Sequence, residues 1–123
     1  KIEFIVGDCL QILPHLAADV VFLSPPWGGP EYLNAESFNL KNIELTNGAN
    51  GLELFTKAYQ VTKNVVYYLP RNIKSNQIRT MLFYAEKSRE NQEKDEKRER
   101  REEGEREKER KRGEVMCELQ EEK

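Results

Sequence analysis

Val20-Val21-Phe22-Leu23-Ser24-Pro25-Pro26-Trp27-Gly28-Gly29-Pro30 is an apolar run that stops in a turn of prolines, tryptophan and glycine. Four consecutive apolar residues ended by turn formers read as a buried strand. Pro25 and Pro26 fix φ and remove two backbone donors, and Pro25 keeps Ser24 extended. The turn carbonyls and the Ser24 hydroxyl are left as acceptors. Trp27 adds a flat face, and Gly28 with Gly29 gives a ligand room to approach the backbone. In parallel α/β sheets ligands bind beyond the carboxyl ends of strands, where this turn falls. The alternative is a turn that merely ends the strand and tucks Trp27 into the core.

Outward from the turn, the pattern predicts a strand at Ile2–Val6 and a short helix over Cys9–Leu13 stopped near Pro14. Residues 31–50 read as a polar loop. Asn50 and Glu53 form a capping pair for a helix from Gly51 to Thr62, with Leu52, Phe55 and Tyr59 on one face. Val65–Leu69 is a second buried strand ended by Pro70, and Ser75 caps a helix striped by Ile78, Met81, Leu82 and Ala85. The fold class is α/β.

Three stretches, Ile2–Asp8, Ala18–Tyr32 and Val65–Asn72, together resemble the trimethylguanosine synthase family, the RNA cap guanine-N2 methyltransferases. The resemblance covers roughly residues 1–80 and is most specific at Ser24–Tyr32, because related amine methyltransferases more often carry Asp or Asn before the prolines and Tyr or Phe after them. It implies a partial class I, Rossmann-like fold that uses S-adenosylmethionine to methylate the 7-methylguanosine cap of small nuclear and nucleolar RNAs. The implied partners are capped RNA and proteins of small nuclear ribonucleoproteins. The implied location is the nucleus, in nucleolus or Cajal body, with the cytoplasm also open.

Carried onto this chain, the resemblance implies that Ser24 and the Pro25 carbonyl hold the amine and Trp27 stacks on the methylated base. That base is cationic, so an indole face gains a cation–π contribution. Tyr32, Arg71 and Asn72 match the substrate side, where a guanidinium fork suits phosphate oxygens. Asp8, the Cys9 backbone and Ser24 match the methyl-donor side. From the residues alone, Asp8 also reads as a helix cap with Gln11 three positions on, and the alternatives for Arg71 and Tyr32 are a solvated surface residue and a loop aromatic. Cys9 and His15 have no partner at ligand spacing and read as structural. Other amine methyltransferases, acting on adenine N6, another guanine N2 or a glutamine amide, share the Pro-Pro-aromatic signature. A truncated, non-enzymatic product is the remaining alternative.

The chain opens on Lys1 inside its first recognisable strand, which reads as an excerpt of a longer protein. Neither the Gly-rich turn nor the acidic strand end that cradles the donor in class I enzymes is matched. By the resemblance the strands are the third, fourth and fifth of the family sheet. Two strands belong between the third and fourth, a gap of about 14 Å. The expectation is therefore an unclosed sheet with unpaired edges.

From Glu86 the composition changes: residues 86–123 carry 15 acidic and 13 basic side chains, leaving seven of each in residues 1–85. This divides the chain into a partial methyltransferase domain, 1–85, and a charged tail, 86–123. The net charge of −2 lacks the basic excess of a free-standing nucleic-acid binder. Pairs such as Glu93 with Lys97, Glu96 with Arg100 and Glu102 with Arg106 support a solvated helix, weakened at Gly104 and Gly113 with fraying or disorder beyond them. Lys108, Arg110, Lys111 and Arg112 are interleaved with Glu107 and Glu109 and read as a solvated face. With no sustained apolar heptad, a coiled coil is disfavoured. No apolar run approaches membrane-spanning length. Two distant cysteines, Cys9 and Cys117, suggest reduced thiols.

Overall fold

The computed structural model describes residues 1–122, and the chain divides into two compact units, Lys1–Arg89 and a second that starts at Glu90. In the first unit, Asp8 begins helix α1 (Cys9–Ile12), which tightens into a 3-10 turn over Leu13–His15. Strand β1 (Val21–Leu23) follows, then the Pro-Pro turn and 3-10 turns at Pro30–Asn34, Leu40–Asn42 and Thr46–Gly48. Helix α2 (Gly51–Val61) leads into β2 (Val65–Tyr67), and helix α3 (Ser75–Glu121) starts where Ser75 predicts.

β1 and β2 pair in parallel, with Val21 opposite Val65, Phe22 opposite Val66 and Leu23 opposite Tyr67. Tyr68 N–H donates to the Leu23 carbonyl at 2.8 Å, carrying the pairing into the Pro-Pro turn. Before the pair, Thr62 and Asn64 both donate to the Asp19 carbonyl, and Val21 N–H donates to the Asn64 carbonyl. The end of α2 is thereby tied to the entry of β1.

One sheet face packs on α2. Leu23 is buried there, and Val21, Val65 and Tyr67 pack against the same core. Phe22, Val66 and Tyr68 point the other way and are exposed. The strand predicted as buried is thus buried on one face only, as the period of two dictates when a single layer covers a sheet. The strand predicted at Ile2–Val6 does not form; these residues are exposed and extend no ladder. Among the described residues the sheet has two strands, β1 and β2, and Ile2–Val6 pairs with neither. Without a partner an apolar run has nowhere to place its backbone hydrogen bonds.

α2 carries the predicted capping box: the Asn50 side chain accepts from Leu52 and Glu53 N–H, and Asn50 N–H donates to the Glu53 carboxylate at 2.9 Å. Its buried face consists of Leu54, Phe55, Ala58 and Tyr59, turned from the predicted Leu52 side. Phe55 stacks between Tyr59 and Tyr67, with ring centroids at 5.6 and 6.0 Å. On α3 only Met81 and Ala85 are buried; Ile78 and Leu82 of the predicted stripe are exposed. Arg89 closes the unit by donating to the Tyr59 carbonyl at 2.7 Å.

The largest correction concerns residues 31–50. This stretch supplies Phe38, Leu40 and Ile43 to the core, and Phe38 and Ile43 are the bulkiest fully buried side chains. These apolar residues are spaced irregularly among Asn, Lys and Glu, so neither the helical nor the strand period reveals them.

The second unit is helical to Glu121 and runs through both Gly104 and Gly113, where fraying was expected. Arg98 and Glu102 pair at 2.9 Å, Arg106 and Glu102 at 3.5 Å, and Glu96 with Arg100 at 4.0 Å, all exposed. The hydrogen bond from Arg98 holds the Glu102 carboxyl below its usual range. Each such contact is weak, but they recur along most of the helix. No helix among the described residues is long and apolar enough to cross a membrane.

Gly51 sits where three segments meet. A Cβ there would lie 2.8 Å from the Leu40 carbonyl and Ile43 Cδ1, and 2.9 Å from the Tyr67 hydroxyl. Because Leu40 O is backbone, Gly51→Ala is expected to destabilise the fold by about 1–3 kcal/mol in urea titrations. The Tyr67 hydroxyl donates to the Gly51 carbonyl at 2.9 Å, and burial pushes its pKa well above the ordinary phenol value. The folded state holds that proton more tightly, so this contribution is complete below about pH 10 and is lost as pH rises through the folded value. Alkaline titration of phenolate absorbance should show a delayed component that Tyr67→Phe removes.

Candidate functional site

Gly28 and Gly29 carry the chain out of β1 with φ of 85° and 89°. Gly29 combines that φ with ψ of −172°, a region that side chains exclude. This reversal starts the Pro30–Asn34 turn and brings Tyr32 back over Trp27. The two rings meet edge-on, at 5.1 Å and 83°. Tyr68 lies on Trp27 at 5.1 Å with a 35° tilt, and the Trp27 Nε1–H donates to the Tyr68 carbonyl at 3.2 Å. Trp27 is therefore half-buried in a fixed orientation, not free on a loop.

Beside it opens a cleft of about 560 Å³, lined by Pro26, Trp27, Gly28, Glu31, Tyr32, Ala35, Phe38, Asn42 and Glu44. Its lining combines the Trp27 and Tyr32 rings with the carboxylates of Glu31 and Glu44, so the cleft suits a flat ligand with positive charge. Motif spacing foretold neither Glu31 nor Glu44 as lining residues, and Tyr68 had no assigned role. The folding back of residues 30–44 brings in Glu31 and Glu44, and the pairing of β2 with β1 brings in Tyr68.

Ser24 and Pro25 adjoin the cleft through the chain but do not line it. Ser24 and Arg71 are exposed. Asn72 stands behind Tyr32, donating to the Tyr32 carbonyl at 3.0 Å and the Ala35 carbonyl at 3.3 Å. Asp8 and Cys9 do not line this cleft. Asp8 caps α1, accepting from Leu10 N–H at 3.0 Å, and its second oxygen accepts from the Asn47 amide at 3.1 Å. Asn47 holds a left-handed φ of 67° in its turn. Cys9 is exposed with a free thiol.

The sequence profile of the RNA cap guanine-N2 methyltransferases matches residues 1–105. The chain belongs to that family. Among the relatives it matches, trimethylguanosine synthase of Saccharomyces cerevisiae is 37% identical over 68 residues, which is 55% of this chain and 21% of that protein. Trimethylguanosine synthase of Schizosaccharomyces pombe is 36% identical over 77 residues, 58% of this chain and 31% of that protein. The chain thus spans between a fifth and a third of these relatives' lengths. In this family member the profile extends past the aromatic cleft into the charged helix.

The positive φ at Gly29 makes that position the most sensitive in the turn. Gly29→Ala should cost about 1–3 kcal/mol and loosen Trp27, read as a red shift of its emission. Trp27 is the single tryptophan, so the signal is unambiguous.

Proposed function

We propose that these residues form the acceptor side of an enzyme that methylates guanine N2 of 7-methylguanosine-capped RNA with S-adenosylmethionine, completing the trimethylguanosine cap of small nuclear and nucleolar RNAs. The observation that carries this reading is the aromatic cleft beside the Pro-Pro turn, where Trp27 is pinned by Tyr32 and Tyr68 and shares the lining with Glu31 and Glu44. A 7-methylguanine base is flat and cationic, so indole stacking and nearby carboxylates favour it over unmodified guanine.

The Ser24 hydroxyl and Pro25 carbonyl accept from the exocyclic amine, which turns its lone pair away from the ring plane. Trp27 fixes the plane of the base. Arg71 and Tyr32 bind the cap phosphates, Arg71 through a fork of donors matched to phosphate oxygens. S-adenosylmethionine supplies an electrophilic methyl group. At the donor side, Asp8 and the Cys9 backbone take the adenine end. The Asp8 carboxylate accepts two hydrogen bonds at present and retains lone pairs for an exocyclic amine. After transfer the nitrogen proton leaves to solvent. Orientation supplies most of the rate, since no strong general base is required once the amine is aligned. Nuclear action and contact with small nuclear ribonucleoprotein proteins follow from the same reading.

The test is methyl transfer by the complete protein that carries these residues, on RNA capped with 7-methylguanosine and on RNA capped with unmodified guanosine. Trp27→Ala is expected to lower kcat/KM on the methylated cap about ten- to hundredfold. Undiminished activity would remove the stacking role, and equal activity on both caps would remove the cation preference.

A further inference from the structure

Asn72 belongs by motif to the substrate side, but its hydrogen bonds say otherwise. A primary amide has two N–H donors, and both are committed: Nδ2 donates to the carbonyls of Tyr32 and Ala35. Its Oδ1 is buried without a partner among the described residues and can only accept. A phosphate oxygen needs a donor, and the Asn72 side chain has none left.

The segment it grips needs holding. Residues 30–38 follow the two positive-φ glycines, contain one short 3-10 turn and join no strand except through a single bridge between Phe38 and Ile73. Phe38 N–H donates to the Asn72 carbonyl at 3.2 Å, so backbone and side chain of Asn72 hold both ends of the stretch from Tyr32 to Phe38. Gln77 repeats the device just beyond: its Nε2 donates to the Phe38 carbonyl at 2.6 Å and its Oε1 accepts from Leu40 N–H at 3.0 Å. The held segment is the cleft wall that carries Glu31, Tyr32 and Ala35.

We infer that Asn72 is a positioning residue, which sets the Trp27 cleft by clamping the Tyr32–Ala35 backbone and never touches the cap. The inference rests on reading the cleft as the base site, but its first test does not. Asn72→Asp keeps the size of the side chain and replaces the donor Nδ2 by a carboxylate oxygen that faces both carbonyls. In the ligand-free 123-residue chain it is expected to release Tyr32 from Trp27, with emission shifted to longer wavelength and stronger acrylamide quenching, while far-UV ellipticity holds. If Asn72→Asp does not fold, Asn72→Ser, which retains one donor, is read the same way. Unchanged emission and quenching would overturn the clamp.

The second test uses 7-methylguanosine diphosphate as probe. Asn72→Asp should weaken its binding about tenfold, the loss of two modest hydrogen bonds acting at a distance. In a Tyr32→Ala background the same change should add little, because its effect passes through Tyr32. Fully additive losses mean direct contact with the ligand and sink the positioning role. If the unmodified chain binds no probe, the cap reading fails for this chain, and the ligand-free quenching still decides the clamp.

Discussion

Three stretches of chain converge on Gly51, a position with no room for a side chain. The Tyr67 hydroxyl closes on its carbonyl from β2, Ile43 and the Leu40 carbonyl press from the preceding loop, and α2 departs from it under the Asn50 cap. This one close approach holds the irregular stretch 38–43 against the β1–α2–β2 unit. It also covers much of a phenol whose hydroxyl donates to that carbonyl, so the contact is costly to lose. The far end of the stretch that lines the cleft is anchored there. Ile43 is part of that packing, Phe38 is buried in the same core, and the chain between Gly29 and Phe38 brings Tyr32 back onto Trp27.

The site inherits a division of labour from this architecture. Rigid parts present the aromatic face: β1 ends in two prolines, and Trp27 is tied to the Tyr68 carbonyl at the end of β2. The opposing wall is irregular backbone, and it is held by amide side chains. Asn72 and Gln77 both lie after β2, within the segment that leads into and opens α3. Side-chain amides suit that work because each can donate and accept at once, satisfying loop groups that no ladder reaches. The charged helix beyond Glu90 is built on a different principle, sustained by exposed ion pairs along its own length and not by a buried face.

Much of the regular structure was legible because its signals are local. The capping pair Asn50–Glu53, the start of α3 at Ser75 and the stop of β1 before Pro25 each depend on neighbours within four residues. The apolar run Ile2–Val6 carries a strand's pattern equally clearly, yet it stays unpaired, since a strand exists only where another chain segment accepts its hydrogen bonds. The polar appearance of residues 31–50 concealed Phe38, Leu40 and Ile43, because burial in an irregular loop follows no period.

The sequence by itself determined the family, through residues 1–105, and the chemistry on offer: a Pro-Pro-Trp turn with free acceptors and a flat face. Those properties reside in covalent structure and in short-range backbone restriction. Only the tertiary structure decided what surrounds Trp27: Tyr68 reaches it from beyond β2, Tyr32 folds back on it after the glycine turn, and Glu31 and Glu44 join the same cleft. It likewise decided how Asn72 and Asp8 spend their hydrogen bonds. A side chain's type states its capacity to donate and accept, and the partners that consume that capacity are fixed by geometry.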